Sequence, residues 1–330
     1  GEMLVFSAAD FEDFRQPRPD MAPEMEGELE EVVRVLVQNK WPWRLHATYD
    51  ETIERALDVF EKVNRDTPLA GLNWFFDHCE TISEKSIDRI AALGGGIAVQ
   101  HRMAYQGEYF VERYGAAAAE ATPPVKRMLE KGVKVSAGTD ATRVASYNPW
   151  VSLSWLVTGK TVGGLRITPQ RNCLDREAAL RMWTENVTWF SNEVGKKGRI
   201  EVGQLADLVV PDRDFFACPE SEIADTTALL TMVGGKVVWG AGEFAGQDEG
   251  TPPPAMPDWS PVRSFGGYAG WGDKEGRPLQ ATVRRLAAEC ACANDCNLHG
   301  HRHATAWSSR LPVADLKSFW GALGCACWAV

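Results

Sequence analysis

Between residues 28 and 140 the chain repeats one unit, an apolar strand-like run ending in a polar side chain and followed by an amphipathic helix. The stretch ELEEVVRVLVQNK predicts a helix with Leu29, Val32, Val33 and Leu36 on one face, and WPWRLH after it predicts a strand ending at His46. Asp50 is placed to cap a second helix carrying Ile53, Ala56, Leu57 and Phe60. LNWFFDH then predicts a strand ending at His78. Ser83 is placed to cap a helix with Ile87, Ile90 and Ala91, closed by the glycines at 94 to 96. The strand IAVQ ends at Gln100, with His101 next, and a long polar and aromatic loop is expected after it. Pro123-Pro124 begins a helix that Gly132 ends, and VKVSAGTD supplies a fourth strand ending at Asp140.

This rhythm predicts parallel βαβ units and an α/β fold. In an open doubly wound sheet His46, His78, Gln100-His101 and Asp140 would lie along one edge. In a (β/α)8 barrel the same strand ends converge on one mouth, where active sites lie. The barrel is the expected architecture. Beyond Asp140 comes a helix rich in aromatics, REAALRMWTENVTWF. GRIEVGQLADLVVPD and LLTMVGGKVVWG change the texture to short β-runs with glycine turns, as in a small antiparallel sheet. Residues 247 to 280 read as an extended Pro, Gly and Trp-rich loop, and ATVRRLAAECACAND as a last helix.

Charge and hydropathy exclude some functions. The net charge is −10, and residues 1 to 31 alone hold ten acidic and two basic side chains, a solvated acidic surface loop. No basic footprint for nucleic acid is present. No apolar run is long enough to cross a bilayer, so no membrane partner is expected. The opening GEMLVFSAADFEDF has neither the basic start nor the apolar core of a secretory signal, and a cytoplasmic location is expected. A strand-like run, Met3 to Phe6, comes almost at once, and the chain is expected to be part of a longer protein.

Two imidazoles and a carboxylate at strand ends make a donor set suited to Zn, Mn, Ni or Fe(II). A metal held by His46, His78 and Asp140 would make water a nucleophile and polarise a substrate carbonyl. Asp140 would also be the catalytic group, taking the water's proton and passing it to a leaving nitrogen. Each residue alone has a plainer reading: a strand-end histidine can be structural, and Asp140 after SAGT can cap a turn. Their placement at the same end of successive strands favours the site. Gln100 and His101 are candidates for substrate contact, against a hydrogen-bonded surface role for His101. Arg143 would pair a substrate carboxylate or form a structural ion pair. A separate candidate metal site lies in the tail, where Cys290, Cys292, Cys296, His299, His301 and His303 form CxCxxxCxxHxHxH. Disulfides or reduced thiols are the competing readings, with Cys325 and Cys327 as further partners.

At these residues the chain resembles the amidohydrolase superfamily, and within it the YtcJ-like (amidohydrolase 3) group. The segments that carry the likeness are LHATYDETIERALDVFE, FFDHCETISEKSIDRIAALGGGIAVQ, GVKVSAGTDATR and KGRIEVGQLADLVVPDRD with TMVGGKVVWG, over roughly residues 28 to 245. The resemblance implies that His46 and His78 are metal ligands of the fifth and sixth barrel strands and Asp140 the eighth-strand carboxylate. It implies the C-terminal portion of a metal-dependent hydrolase TIM barrel over residues 1–197. It also implies a β-sandwich segment over 198–246, followed by a loop and Cys/His-rich tail over 247–330. The implied activity is hydrolysis of non-peptide C–N bonds in amides or formamides, with a divalent metal, Zn foremost. The alternatives are an inactive metal-binding or regulatory protein, or an ester or lactone hydrolase. The expected partners are a small-molecule substrate and a missing N-terminal half or completing chain, with a homo-oligomer allowed for. The chain departs from the group's pattern in three ways. No HxH pair or middle-strand lysine precedes His46, Tyr49 replaces a usual glycine, and His101 replaces a proline.

Overall fold

The computed structural model describes residues 24–141 and 145–248, together with the backbone of 295–296 and 301–302. Helix α1 (Met25–Gln38) leads into strand β1 (Trp43–Ala47), and α2 (Asp50–Asp66) into β2 (Trp74–His78). Helix α3 (Glu84–Leu93) precedes β3 (Gly96–Gln100). Helices α4 (Arg102–Tyr114), α5 (Ala116–Ala119) and α6 (Val125–Glu130) precede β4 (Lys134–Gly138). The four strands form one parallel sheet in the order β1-β2-β3-β4. Strand order equal to chain order, with a helix in each crossover, is the winding of a (β/α) barrel.

The register explains the layering. Leu45, Phe76, Ile97 and Val135 are partners across the sheet and face the helices, all buried. Trp43, Phe60, Trp74 and Phe76 interlock on that face, with Trp74 5.1 Å from Phe60 and 6.0 Å from Trp43. The alternate row, His46, Asp77, Ala98 and Ser136, lies on the opposite face, where a closed barrel has its interior.

Most predicted helix signals operate as expected, and a few are corrected. Ser83 caps α3, accepting from Ser86 N, and Gly94 ends it in the left-handed conformation (φ 73°). Asp50 is not a cap but the first residue of α2; its carboxylate accepts from Ser83 N at 2.9 Å, tying the helix start to the next loop. The buried face of α1 is Met25, Leu29, Val33 and Val37, leaving Val32 39% exposed and Leu36 only partly buried. The expected loop after Gln100 is instead helical, α4 burying Met103, Ala104 and Phe110. Residues 149–158 form α7 (Pro149–Thr158), which begins with Asn148 capping Trp150 N and ends at Gly159. The aromatic helix is broken into α8 (Arg176–Trp183), capped by Asp175, and α9 (Val187–Phe190).

Helix α9 crosses the end of the sheet opposite to the strand termini that carry the histidines. Phe190 packs edge-on against Phe75 at 4.8 Å. The Trp189 ring fills the space where a Cβ on Gly96 would stand, 2.7 Å away. Asn73 donates to Trp189 O and Asn186 to Val135 O. These contacts plug the N-terminal end of the strands, leaving the other end to the polar side chains. Outside, ion pairs lace neighbouring helices: Glu26–Arg55 and Glu30–Lys62 join α1 to α2, Asp58–Arg89 joins α2 to α3, and Glu84–Arg127 joins α3 to α6. Such surface pairs fix alignment more than they stabilise.

Strands β5 (Leu208–Pro211), β6 (Ala228–Val233) and β7 (Lys236–Gly240) form the expected small antiparallel sheet. Gly234 and Gly235, both at positive φ (57° and 83°), make the two-residue hairpin turn. Val209, Val233 and Trp239 remain exposed, and among the described residues no second layer covers the sheet. A separate pair, β8 (Asp295–Cys296) and β9 (His301–Arg302), is antiparallel, with Cys296 opposite His301. Among the described residues no helix is long and apolar enough to cross a membrane.

Candidate active site

The two histidines meet, and a break in the strand pattern makes this happen. The register pairs His46 with Asp77 and His78 with Ala47, so strict alternation would send the imidazoles to opposite faces. His78 and Cys79 adopt left-handed backbone (φ 79° and 58°), and the chain leaves the pleat there. The result is two buried rings with centroids 4.4 Å apart, edge to face. Left-handed non-glycine residues are costly and cluster at functional sites. Main-chain bonds from Cys79 N to Ala47 O (2.9 Å) and from Thr81 N to Thr48 O (3.1 Å) hold the distorted end against β1.

Burial pushes the His78 imidazole well below its usual pKa, and His46 and the Arg102 and Arg44 guanidiniums add to the effect. Gln100, at the end of β3, opposes it and lies close to the His78 ring. His78 is therefore neutral at neutral pH, and its buried Nδ1 has no hydrogen-bond partner in the protein. A neutral imidazole is the form that binds a metal.

Asp140 also has left-handed backbone (φ 52°) and lies just beyond the end of β4, on the exposed side. Among the described residues no three His, Cys, Asp or Glu side chains are drawn together closely enough to hold a metal. The donor chemistry of the histidine pair fits a divalent cation, but Asp140, the expected third ligand, is not grouped with the pair among the described residues. Arg143 lies outside the described residues. So do the tail residues Cys290, Cys292, His299 and His303; Cys296 and His301 are described in backbone alone.

The other candidates line the same end of the sheet. Gln100 is buried, and its side-chain oxygen accepts no hydrogen bond from the protein. His101 is fully buried rather than on the surface, its Nδ1 facing Gly138 O at 3.5 Å. Burial lowers its pKa from 6.5 to about 4. Between those values the unfolded chain binds a proton that the folded chain excludes, so stability present above pH 6.5 is lost as pH falls through 4. The loss is expected to be on the order of 3 kcal/mol. Denaturant titrations of wild type and His101→Gln over that range check it, and equal pH slopes would refute it.

Three residues escaped sequence reasoning. Asp77 is buried on the inner face, 3.5 Å from Arg44. Arg102, the first residue of α4, is buried at the mouth and bonds Gln106 at 3.1 Å. Glu80, two residues after His78, is fully buried. Burial lifts its carboxyl to about 7, a rise that Arg102 and its own backbone N–H oppose and Asp140 reinforces.

Comparison with known proteins places this arrangement. The chain is 29% identical over 193 residues to N-substituted formamide deformylase of Arthrobacter pascens, covering 58% of this chain and 35% of that protein. It is 23% identical over 199 residues to the putative amidohydrolase YtcJ of Bacillus subtilis (strain 168), covering 59% of this chain and 37% of that one. The chain thus spans little more than a third of the length of these relatives. Among solved structures it is similar to an uncharacterized metal-dependent hydrolase from Pyrococcus horikoshii OT3, with a TM-score of 0.52 and 22% identity over 62% of this chain and 41% of that one. A counterpart from Pyrococcus furiosus gives 0.50 and 22% over 61% and 39%. These two likenesses agree with the TIM-barrel type of fold. The model of the amidohydrolase family matches residues 1–239, and the chain belongs to that family, in its YtcJ-like group.

Proposed function

We propose that this polypeptide is a metal-dependent hydrolase of non-peptide C–N bonds, with N-substituted formamides or related amides as substrates. The observation that carries the reading is the pair of buried imidazoles, 4.4 Å apart, on a backbone distorted to bring them together. His46 and His78 would hold a divalent metal, Zn foremost, with Asp140 as the third ligand. The metal, when bound, supplies the Lewis acidity that makes water nucleophilic and the carbonyl electrophilic. Asp140 accepts the water's proton and delivers it to the departing nitrogen, general base and then general acid. Gln100 and His101 flank the substrate.

The proposal includes a completing half. Strands β1 and β4 are the two edges of the parallel sheet, and Val32, Val35 (50% exposed) and Trp41 (56%) lie on and just after α1. Further βα units would cover these apolar side chains and supply the ligands that close the site. The segment of β5 to β7 would belong to a β-sandwich whose second layer is built by the same completing part.

The test is turnover by the full-length polypeptide, metal-loaded and metal-depleted, on matched N-substituted formamides, amides and esters. Metal-dependent release of an amine is the expected result. Hydrolysis of esters or lactones alone would replace the substrate class. Metal binding without turnover on any panel would replace the enzyme with a binding or regulatory protein.

A further inference from the structure

Three of the chain's six histidines stand between positions 299 and 303, close after Cys290, Cys292 and Cys296, and the hydrolase reading uses none of these residues. The backbone adds an arrangement to this run. Strands β8 and β9 pair antiparallel, with Asp295 opposite Arg302 and Cys296 opposite His301. The opposite charges of the first pair favour this register over a slipped one. Directly opposed positions of an antiparallel ladder share a face, with β-carbons about 5 Å apart. A tetrahedral cation held at about 2.3 Å from a thiolate sulfur and about 2.1 Å from an imidazole nitrogen can bridge that separation. Among the described residues this two-stranded sheet has no third strand. A hairpin so short is marginal in water by itself and needs a staple.

Disulfides are the competing staple, and composition argues against them. Of the eight cysteines, Cys79, Cys173 and Cys218 are free thiols, which leaves five in the tail, an odd number that cannot all pair with one another. Disulfides also make no use of imidazoles at every second position. We infer that Cys296 and His301 are paired ligands of a metal site in the C-terminal tail, taking a Zn(II)-class cation, with further ligands drawn from Cys290, Cys292, His299 and His303. A mixed sulfur and nitrogen set selects such a cation over oxygen-seeking Mg or Ca. Each thiol gives up its proton to solvent as it binds, so the site fills near neutral pH and empties in acid. The inference is independent of the hydrolase reading, because all of these ligands lie in this chain and beyond the barrel in sequence.

The experiment titrates Co(II), a spectroscopic substitute for Zn(II), into the reduced, metal-free full-length polypeptide. A sulfur-to-cobalt charge-transfer band is expected in wild type, and the barrel ligands proposed above, His46, His78 and Asp140, include no thiolate that could produce it. Cys296→Ser should weaken that band and lower Co(II) affinity at the thiolate site by at least about ten-fold. His301→Gln should lower the affinity by at least about the same factor, while a thiolate band remains at saturation. Absence of the band in wild type, or an affinity within ten-fold of wild type in either variant, overturns the inference. So does a Cys296 that resists alkylation until the chain is reduced, since a disulfide would then be the staple. Limited proteolysis of wild type gives a reading that needs no variant. Zn(II) should slow cleavage between residues 290 and 303 by at least about ten-fold, and equal cleavage with and without Zn(II) overturns the inference.

Discussion

Replacing Asp140 by Asn is expected to lower kcat of the full-length polypeptide by about 10²- to 10⁴-fold, the range for loss of a positioned acid-base group. Asparagine has the same shape and can ligate through its carbonyl oxygen, but it cannot carry a proton from water to a leaving nitrogen. The backbone makes this variant informative. Asp140 lies at φ 52°, a conformation in which asparagine is among the least strained of side-chain-bearing residues. The fold should therefore tolerate the change, and the melting temperature should move little. KM should change less than kcat, because the group acts in the transition state rather than in binding. A fall of less than ten-fold, with metal retained, would remove Asp140 from the chemistry and leave the family assignment without the proposed mechanism.

The largest loss of stability is expected from Trp74→Ala, at about 3–5 kcal/mol. Trp74 is fully buried between sheet and helices, with Trp43 stacked on one side and Phe60 and Phe76 edge-on at 5.1 and 6.0 Å. The fit extends to the chain before β3, where a Cβ on Gly95 would stand 2.3 Å from the indole. So many neighbours, anchored on three elements, cannot collapse together into the space an alanine leaves. The indole N–H has no partner in the protein, so Trp74→Phe loses ring volume without losing a hydrogen bond and should recover more than half of the deficit. Denaturant midpoints of the full-length polypeptide measure both variants. A cost below about 1.5 kcal/mol for alanine would mean that the aromatic cluster is not the core of the assembly.

Much of this fold was legible because the strands are short, apolar and end in a polar residue. His46, His78, Gln100 and Asp140 were placed at strand termini from pattern alone; the structure ends its strands on His78 and Gln100 and one residue after His46, while the fourth strand stops at Gly138, two residues short of Asp140. The misses have physical causes. Helix α4 mixes Arg, Glu, Tyr and a mid-helix Gly107, so its apolar face was masked by composition. The signals for α7 were present in Asn148-Pro149 and Gly159, but its nearly all-apolar sequence lacks a helical period. That the two imidazoles share one mouth was expected from their strand-end placement, but the means by which they meet was not legible. It depends on register and on two left-handed residues, and no local pattern in DHCE encodes either. Glu80 was passed over for a related reason. A carboxylate just after a strand reads as solvated turn chemistry, and its burial is a feature of the tertiary fold alone.

The aromatic stopper made by Trp189 and Phe190 has an implication for how such a scaffold can change. It secures the sheet from below, through contacts to Phe75 and the main chain near Gly96, none of which involves the upper loops. Diversity introduced after His46, His78 or Gln100 would thus alter selectivity while drawing little on the reserves that keep the chain folded. Laboratory libraries confined to those loops should retain many more soluble members than equally large libraries that include positions 186 to 190.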